Sequence, residues 1–181
     1  METKEQRYYY EDKKILLSSA KSIEISLEQV RQGKAGLNKH RKAILARVPD
    51  SYDWATFPKE SISLKDIAYL TAQTGDEFAV LTGKKEDILF HGIKNHCIFT
   101  ADLCELLISG QYKLYGHSHP GERVPMASRD DRETLKLIGQ KKSRLVSAVT
   151  GREIEYSDNA FDNLQNESSE EGSVFGDVNC S

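Results

Sequence analysis

Apolar and polar residues keep a regular rhythm only through the middle of this chain. Leu64, Ile67, Ala68 and Thr71 recur at helical spacing, and Ser63 with Asp66 makes a capping pair in front of them. Residues 77–82 (Glu-Phe-Ala-Val-Leu-Thr) read as a strand, 83–86 as a turn and 87–91 as a second strand, which predicts a hairpin. Residues 96–99 predict a short third strand. Residues 100–109 predict a helix with Leu103, Leu106 and Leu107 on one side and Gly110 ending it. A strand over 112–117 follows, then a helix over 129–138 stopped by Gly139, then an apolar strand over 144–149. Residues 153–156 pair back across Gly151. This succession predicts one α+β domain over residues 59–160, a mixed β-sheet flanked by helices.

The flanks lack that rhythm. Residues 1–58 read as a helical, basic N-terminal arm, with helical character over 22–32 and interruptions at Gly33, Gly36 and Asn38. Between Arg31 and Val48 there are six Lys or Arg, together with His40, and no acid. A solvated helix face or linker accounts for that run better than a binding patch. Pro49-Asp50-Ser51 reads as a turn, followed by an irregular stretch containing Trp54 and Phe57. Residues 161–181 carry five acids and no Lys or Arg, and read as an acidic, flexible tail.

Composition narrows the classes. At 181 residues there is room for one ordinary domain and its flanks. A hydrophobic content of 38% means that part of the chain contributes little to a core. The net charge of −3 argues against general nucleic-acid affinity, which needs a basic face. No apolar run is long enough to cross a bilayer, and the charged start lacks the apolar stretch of a secretory signal. The expectation is a soluble, cytoplasmic protein. Cys97, Cys104 and Cys180 are odd in number and have no metal-motif spacing, which fits a reducing compartment.

The chemistry concentrates between His117 and Asp131. His117 and His119 lie two residues apart in an extended segment, so their side chains point to the same side of the backbone. Two imidazoles and one carboxylate from the next element supply three ligands for a tetrahedral zinc. The fourth position is left for water, the layout of a catalytic site. Pro120 and Gly121 turn the chain toward a helix start at Ser128. Asp131 lies one turn into that helix, and Asp130 competes for the ligand role about 100° away around the axis. Ser128 is placed to donate a hydrogen bond to an oxyanion. Each part also has an ordinary explanation, since Ser-x-x-Asp is a common capping box and His-x-His is common at strand ends. His91, His96 and Cys97 form a second cluster whose spacing matches no zinc pattern, and they read as structural.

His117-Ser118-His119-Pro120 followed by Ser128-Arg129-Asp130-Asp131 resembles the signature of the JAMM (MPN+/JAB) zinc metallopeptidases, which include deubiquitinating isopeptidases and bacterial and phage-borne relatives. The resemblance covers roughly residues 61–158. It implies a JAB/MPN-like fold, one Zn2+ per chain held by His117, His119 and Asp131, and Ser128 as oxyanion partner. It also implies a Glu general base on the strand after the first helix. Glu77 occupies that place, with Asp76 as the nearest alternative and Glu86 or Asp87 behind it. Seven residues separate Pro120 from Ser128, one more than the family pattern, so the loop 121–127 takes up an extra residue. The implied activity is hydrolysis of amide bonds in a peptide, isopeptide or ubiquitin-like conjugate by a zinc-activated water. The alternatives are a catalytically inactive MPN-type scaffold, or a phage- or toxin-associated module whose residues 1–58 dock a protein partner. No nucleic-acid or membrane partner is expected.

Overall fold

The hairpin expected over residues 77–91 supplies the second and third strands of a six-stranded sheet in the computed structural model, which describes residues 4–159 and 177–180. Among the described residues the helices are α1 (Lys4–Arg31), α2 (Lys39–Arg47), α3 (Leu64–Thr74), α4 (Ala101–Ile108) and α5 (Arg129–Leu137). The strands are β1 (Trp54–Pro58), β2 (Phe78–Thr82), β3 (Glu86–His91), β4 (His96–Ile98), β5 (Lys113–His119), β6 (Lys142–Ser147), β7 (Glu153–Ser157) and β8 (Asp177–Asn179). The large sheet runs β1-β3-β2-β5-β6-β7. Only β5 and β6 are parallel, joined through α5, and the other neighbours are antiparallel. The fold is α+β with a mixed sheet.

Alternation along the strands sorts side chains onto two faces. Phe78, Val80, Leu89 and Val146 face one cluster, which they share with Leu64, Ile67, Ala68 and Leu70 of α3. Ala79, Leu81, Ile88, Phe90, Leu114 and Leu145 face the other, with Leu103 and Leu107 of α4 and Leu135 of α5. The sheet is thus covered on both sides. α3 begins at a complete capping box: the Asp66 N–H donates to Ser63 Oγ (3.1 Å) and the Ser63 N–H to Asp66 Oδ2 (3.0 Å). It ends at Gly75, whose φ of 82° is the left-handed conformation that glycine adopts without strain.

Two expectations need correction. The stretch from Leu27 to Pro58 is not part of an arm apart from the domain. Leu27 and Val30 of α1, Leu37, Ile44 of α2 and Val48 are buried in the same cluster as α3. The stretch expected to be irregular is β1, an edge strand paired with β3 from Trp54↔Phe90 to Pro58↔Glu86. The boundary between 58 and 59 therefore falls at the end of a sheet strand. Arg41 Nε donates to Asp66 Oδ1 (2.9 Å) while its guanidinium lies 3.8 Å from the Tyr69 ring centroid, fastening α2 to α3. His91, stacked on Phe78, bonds the Val48 carbonyl through Nδ1 (2.8 Å) and Asp76 Oδ2 through Nε2 (3.0 Å).

The expected flexible tail at 161–181 lies mostly outside the described residues, but Asp177–Asn179 forms β8, parallel to β4 and packed beside α5. No helix among the described residues is long and apolar enough to cross a membrane.

Candidate metal centre

β5 carries both histidines at its C-terminal end, and a bulge decides where they point. Ala79 pairs with His117 and Val80 with Gly116, yet Leu81 pairs with Leu114, so Tyr115 is an extra residue against β2. After the bulge, His117 stands opposite Ala79 on one side and Leu145 on the other, both members of the α4/α5 cluster. Ser118, between the histidines, points to the other face. Its Oγ lies 2.6 Å from Thr71 Oγ1 of α3 and accepts the Phe78 N–H (2.9 Å).

The carboxylate comes from the first turn of α5. Ser128 Oγ accepts the Asp131 N–H (3.0 Å), and Asp131 Oδ2 accepts the Ser128 N–H (2.8 Å). The capping box leaves room for a ligand role, because the box uses Oδ2 and turns Oδ1 toward His117. Asp130 is exposed and Asp131 fully buried, which separates the two candidates. The positive end of the α5 dipole also favours a carboxylate at this position.

Three ligand atoms converge. His117 Nε2 is 3.1 Å from His119 Nε2 and 3.1 Å from Asp131 Oδ1, and His119 Nε2 is 3.7 Å from Asp131 Oδ2. A tetrahedral zinc with N and O bonds near 2.0–2.1 Å sets ligand–ligand edges of about 3.3 Å. Two imidazole nitrogens and a carboxylate at these separations, all with 0% exposure, fit a small cation. Among the described residues this is the one such group of three or more His, Cys, Asp or Glu. Burial by itself pushes the Asp131 carboxyl up, but the charge and hydrogen bond of His117, then His119 and the Ser128 N–H, together hold it below the ordinary range.

Glu77 immediately precedes β2 and has 0% exposure. Its N–H donates to Ile93 O (3.2 Å) and its carbonyl accepts the Gly92 N–H (2.8 Å). Extending the Ala79↔His117 register by two residues sets Glu77 opposite His119, on the same side of the sheet. It is not among the three converging ligands. The other acids considered for the base are engaged elsewhere: Asp76 with His91, Glu86 with Tyr112 Oη (3.0 Å), and Asp87 with the Glu60 N–H (2.7 Å).

Sequence reasoning missed three neighbours. Burial pushes the Cys97 thiol well up, and the charges of Glu77 and Asp131 add to it. Gly92 is required beside it, because a Cβ there would lie 2.4 Å from His96 O and 3.0 Å from Cys97 Sγ. Tyr156 meets the His117 ring edge-on, centroids 6.1 Å apart, with burial and then the Asp131 charge pushing its phenol well up. Glu122, in the loop, is bonded to His119 through Nδ1 (2.9 Å). In the sequence, Cys97 reads only as structural and Tyr156 only as a strand residue, while an acid two residues after His-Pro carries no local signal of a partner.

No protein-family model matches the chain, and neither a curated protein nor a solved structure matches it.

Proposed function

We propose that this chain is a zinc-dependent hydrolase of amide or isopeptide bonds, related in fold and chemistry to the JAMM/MPN+ (JAB) metallopeptidases. The observation that carries the reading is the convergence of His117 Nε2, His119 Nε2 and Asp131 Oδ1 at separations a tetrahedral ion spans. A bound zinc would supply a Lewis acid for the scissile carbonyl and acidify the attacking water. Glu77 would accept a proton from the attacking water as its oxygen bonds the carbonyl carbon, and return it to the leaving nitrogen as the C–N bond breaks, a general base turned general acid. Its burial and its register opposite His119 support the role. Ser128 keeps its hydroxyl proton available, because its Oγ acts as acceptor in the capping box, and donates to the carbonyl oxygen as charge develops there. The order of hairpin, His-bearing strand, helix and parallel strand supports the JAB/MPN comparison. His117, His119, Asp131 and Glu77 all have 0% exposure, so the reading requires the site to open toward substrate.

The test is elemental analysis of the purified chain followed by incubation of the zinc-replete protein with ubiquitin-like conjugates and extended peptides. About one zinc per chain and cleavage of an amide bond are expected. Stoichiometric zinc without cleavage across both substrate sets leaves a metal-binding scaffold, and no zinc uptake removes the reading altogether.

A further inference from the structure

The geometry points to Glu122 as the residue that positions His119 for metal binding, an inference that rests on reading His117, His119 and Asp131 as a metal centre. Glu122 follows the turn at Pro120 and Gly121 and is buried, with 8% exposure. Its Oε2 meets His119 Nδ1 at 2.9 Å and accepts the Met126 N–H at 3.0 Å. Its backbone carbonyl takes the Ser147 hydroxyl at the end of β6.

The chemistry of these contacts assigns the proton. The Glu122 oxygen that accepts from Met126 also accepts from the ring, so His119 carries its hydrogen on Nδ1. A neutral imidazole has one donor and one acceptor nitrogen. Nε2 is then left with its lone pair, aimed at His117 Nε2 and Asp131. Without an acceptor at Nδ1, the ring is free to put its hydrogen on Nε2 or to rotate, and either removes a ligand. A carboxylate on the distal nitrogen of a metal-binding histidine also makes the coordinating nitrogen more basic, and losing such a partner typically costs about 10–100-fold in metal affinity.

The same contacts also fasten the loop. The chain between Pro120 and Ser128 closes on the Glu122 side chain at one end, through Met126, and on β6 at the other, through Ser147. The loop and the ligand ring thus share one carboxylate.

The experiment measures zinc affinity of the wild type and of Glu122→Ala, which removes the acceptor, by competition with a chromophoric chelator. Beside it, the His119 tautomer is read in the metal-free wild type by two-bond nitrogen–proton NMR correlations. The expected result is a dissociation constant raised about 10–100-fold in Glu122→Ala, with His119 protonated on Nδ1 in the wild type. A variant that melts earlier without metal yet binds zinc as tightly as the wild type would show a loop anchor only, and overturns the inference. An Nε2-protonated His119 overturns it without needing any variant to fold. A wild type that takes up no zinc overturns the metal reading itself, which these other two outcomes do not.

Discussion

Leu114 and His117 are three residues apart in β5 yet face the same side of the sheet. In a regular strand, residues three apart point to opposite sides. The additional residue at Tyr115 absorbs the mismatch, so the strand packs Leu114 under α4 and α5 and still delivers both imidazoles to the face where α5 brings Asp131. A bulge next to a candidate site re-aims side chains in this way.

Deleting Tyr115 is therefore expected to abolish zinc binding, because a one-residue slip turns the histidines toward α3 or pulls Leu114 out of its cluster. Tyr115→Ala keeps the backbone count and removes a partly exposed ring, so it is expected to retain zinc. Metal content of the two purified variants distinguishes them. Equal zinc in both would mean that the bulge does not set the direction of the pair.

Asp131→Ala is expected to lose stoichiometric zinc, while Asp130→Ala, altered at an exposed position, keeps it. Most of the fold should survive in both, since a catalytic zinc is rarely the main source of folding energy in a domain of this size. Calorimetric zinc titration with a parallel thermal melt reads both quantities. Zinc loss in Asp130→Ala alone would reverse the assignment.

Glu77→Gln should keep zinc and lose about 100- to 10,000-fold in turnover, because the amide preserves size but cannot accept the proton. Turnover and metal content must be measured on the same preparation. Unchanged turnover would remove Glu77 from the chemistry.

The parts legible in the sequence were those whose signals are local. The hairpin over 77–91, the capping boxes at Ser63 and Ser128 and the spacing of His117 and His119 each depend on residues within one turn or one strand. β1 was not legible, because Trp54-Ala-Thr-Phe-Pro58 has no alternation and ends in a proline, tolerated only because β1 is a sheet edge. The bulge at Tyr115 and the Glu122–His119 contact arise from pairing and loop closure, which leave no periodic trace. Among the described side chains of α1 the apolar positions divide along its length: Leu16 and Leu17 are exposed while Leu27 and Val30 are buried.

The Arg41–Asp66 contact predicts a pH dependence. Burial raises the Asp66 carboxyl, but hydrogen bonds from Ser63 and Arg41 and the Arg41 charge bring it below its ordinary value. A carboxyl depressed in the folded state adds stability above its unfolded pKa of about 3.9, and that stability is lost as pH falls through the folded value. Arg41→Ala should cost about 1.5–3 kcal/mol at neutral pH, the range for a hydrogen bond to a charged group, and less near pH 3. Urea denaturation at the two pH values measures the difference. An equal loss at both would assign the effect to the contact of Arg41 with Tyr69 instead.

Leu27 tests whether the N-terminal residues belong to the core. It has 0% exposure and shares a cluster with Leu64 and Leu70, although it lies well before the expected domain boundary. α1 also reaches the site's surroundings. Arg31 donates to Ala148 O (2.6 Å), and the Ala148 N–H donates to His119 O (2.9 Å). Glu24 pairs with Arg123, the residue after Glu122, at 2.6 Å, but Arg123 is too exposed for that pair to carry much stability. Leu27→Ala should destabilise the whole domain by about 2–5 kcal/mol, as a large-to-small change in a packed core does. A detachable arm predicts a different outcome: the main transition stays in place and only helix content falls. Chemical denaturation followed by circular dichroism and by Trp54 fluorescence separates the two, because Trp54 lies in β1 and reports on the sheet. A shift of both signals together would establish that α1 folds with the sheet that carries His117 and His119.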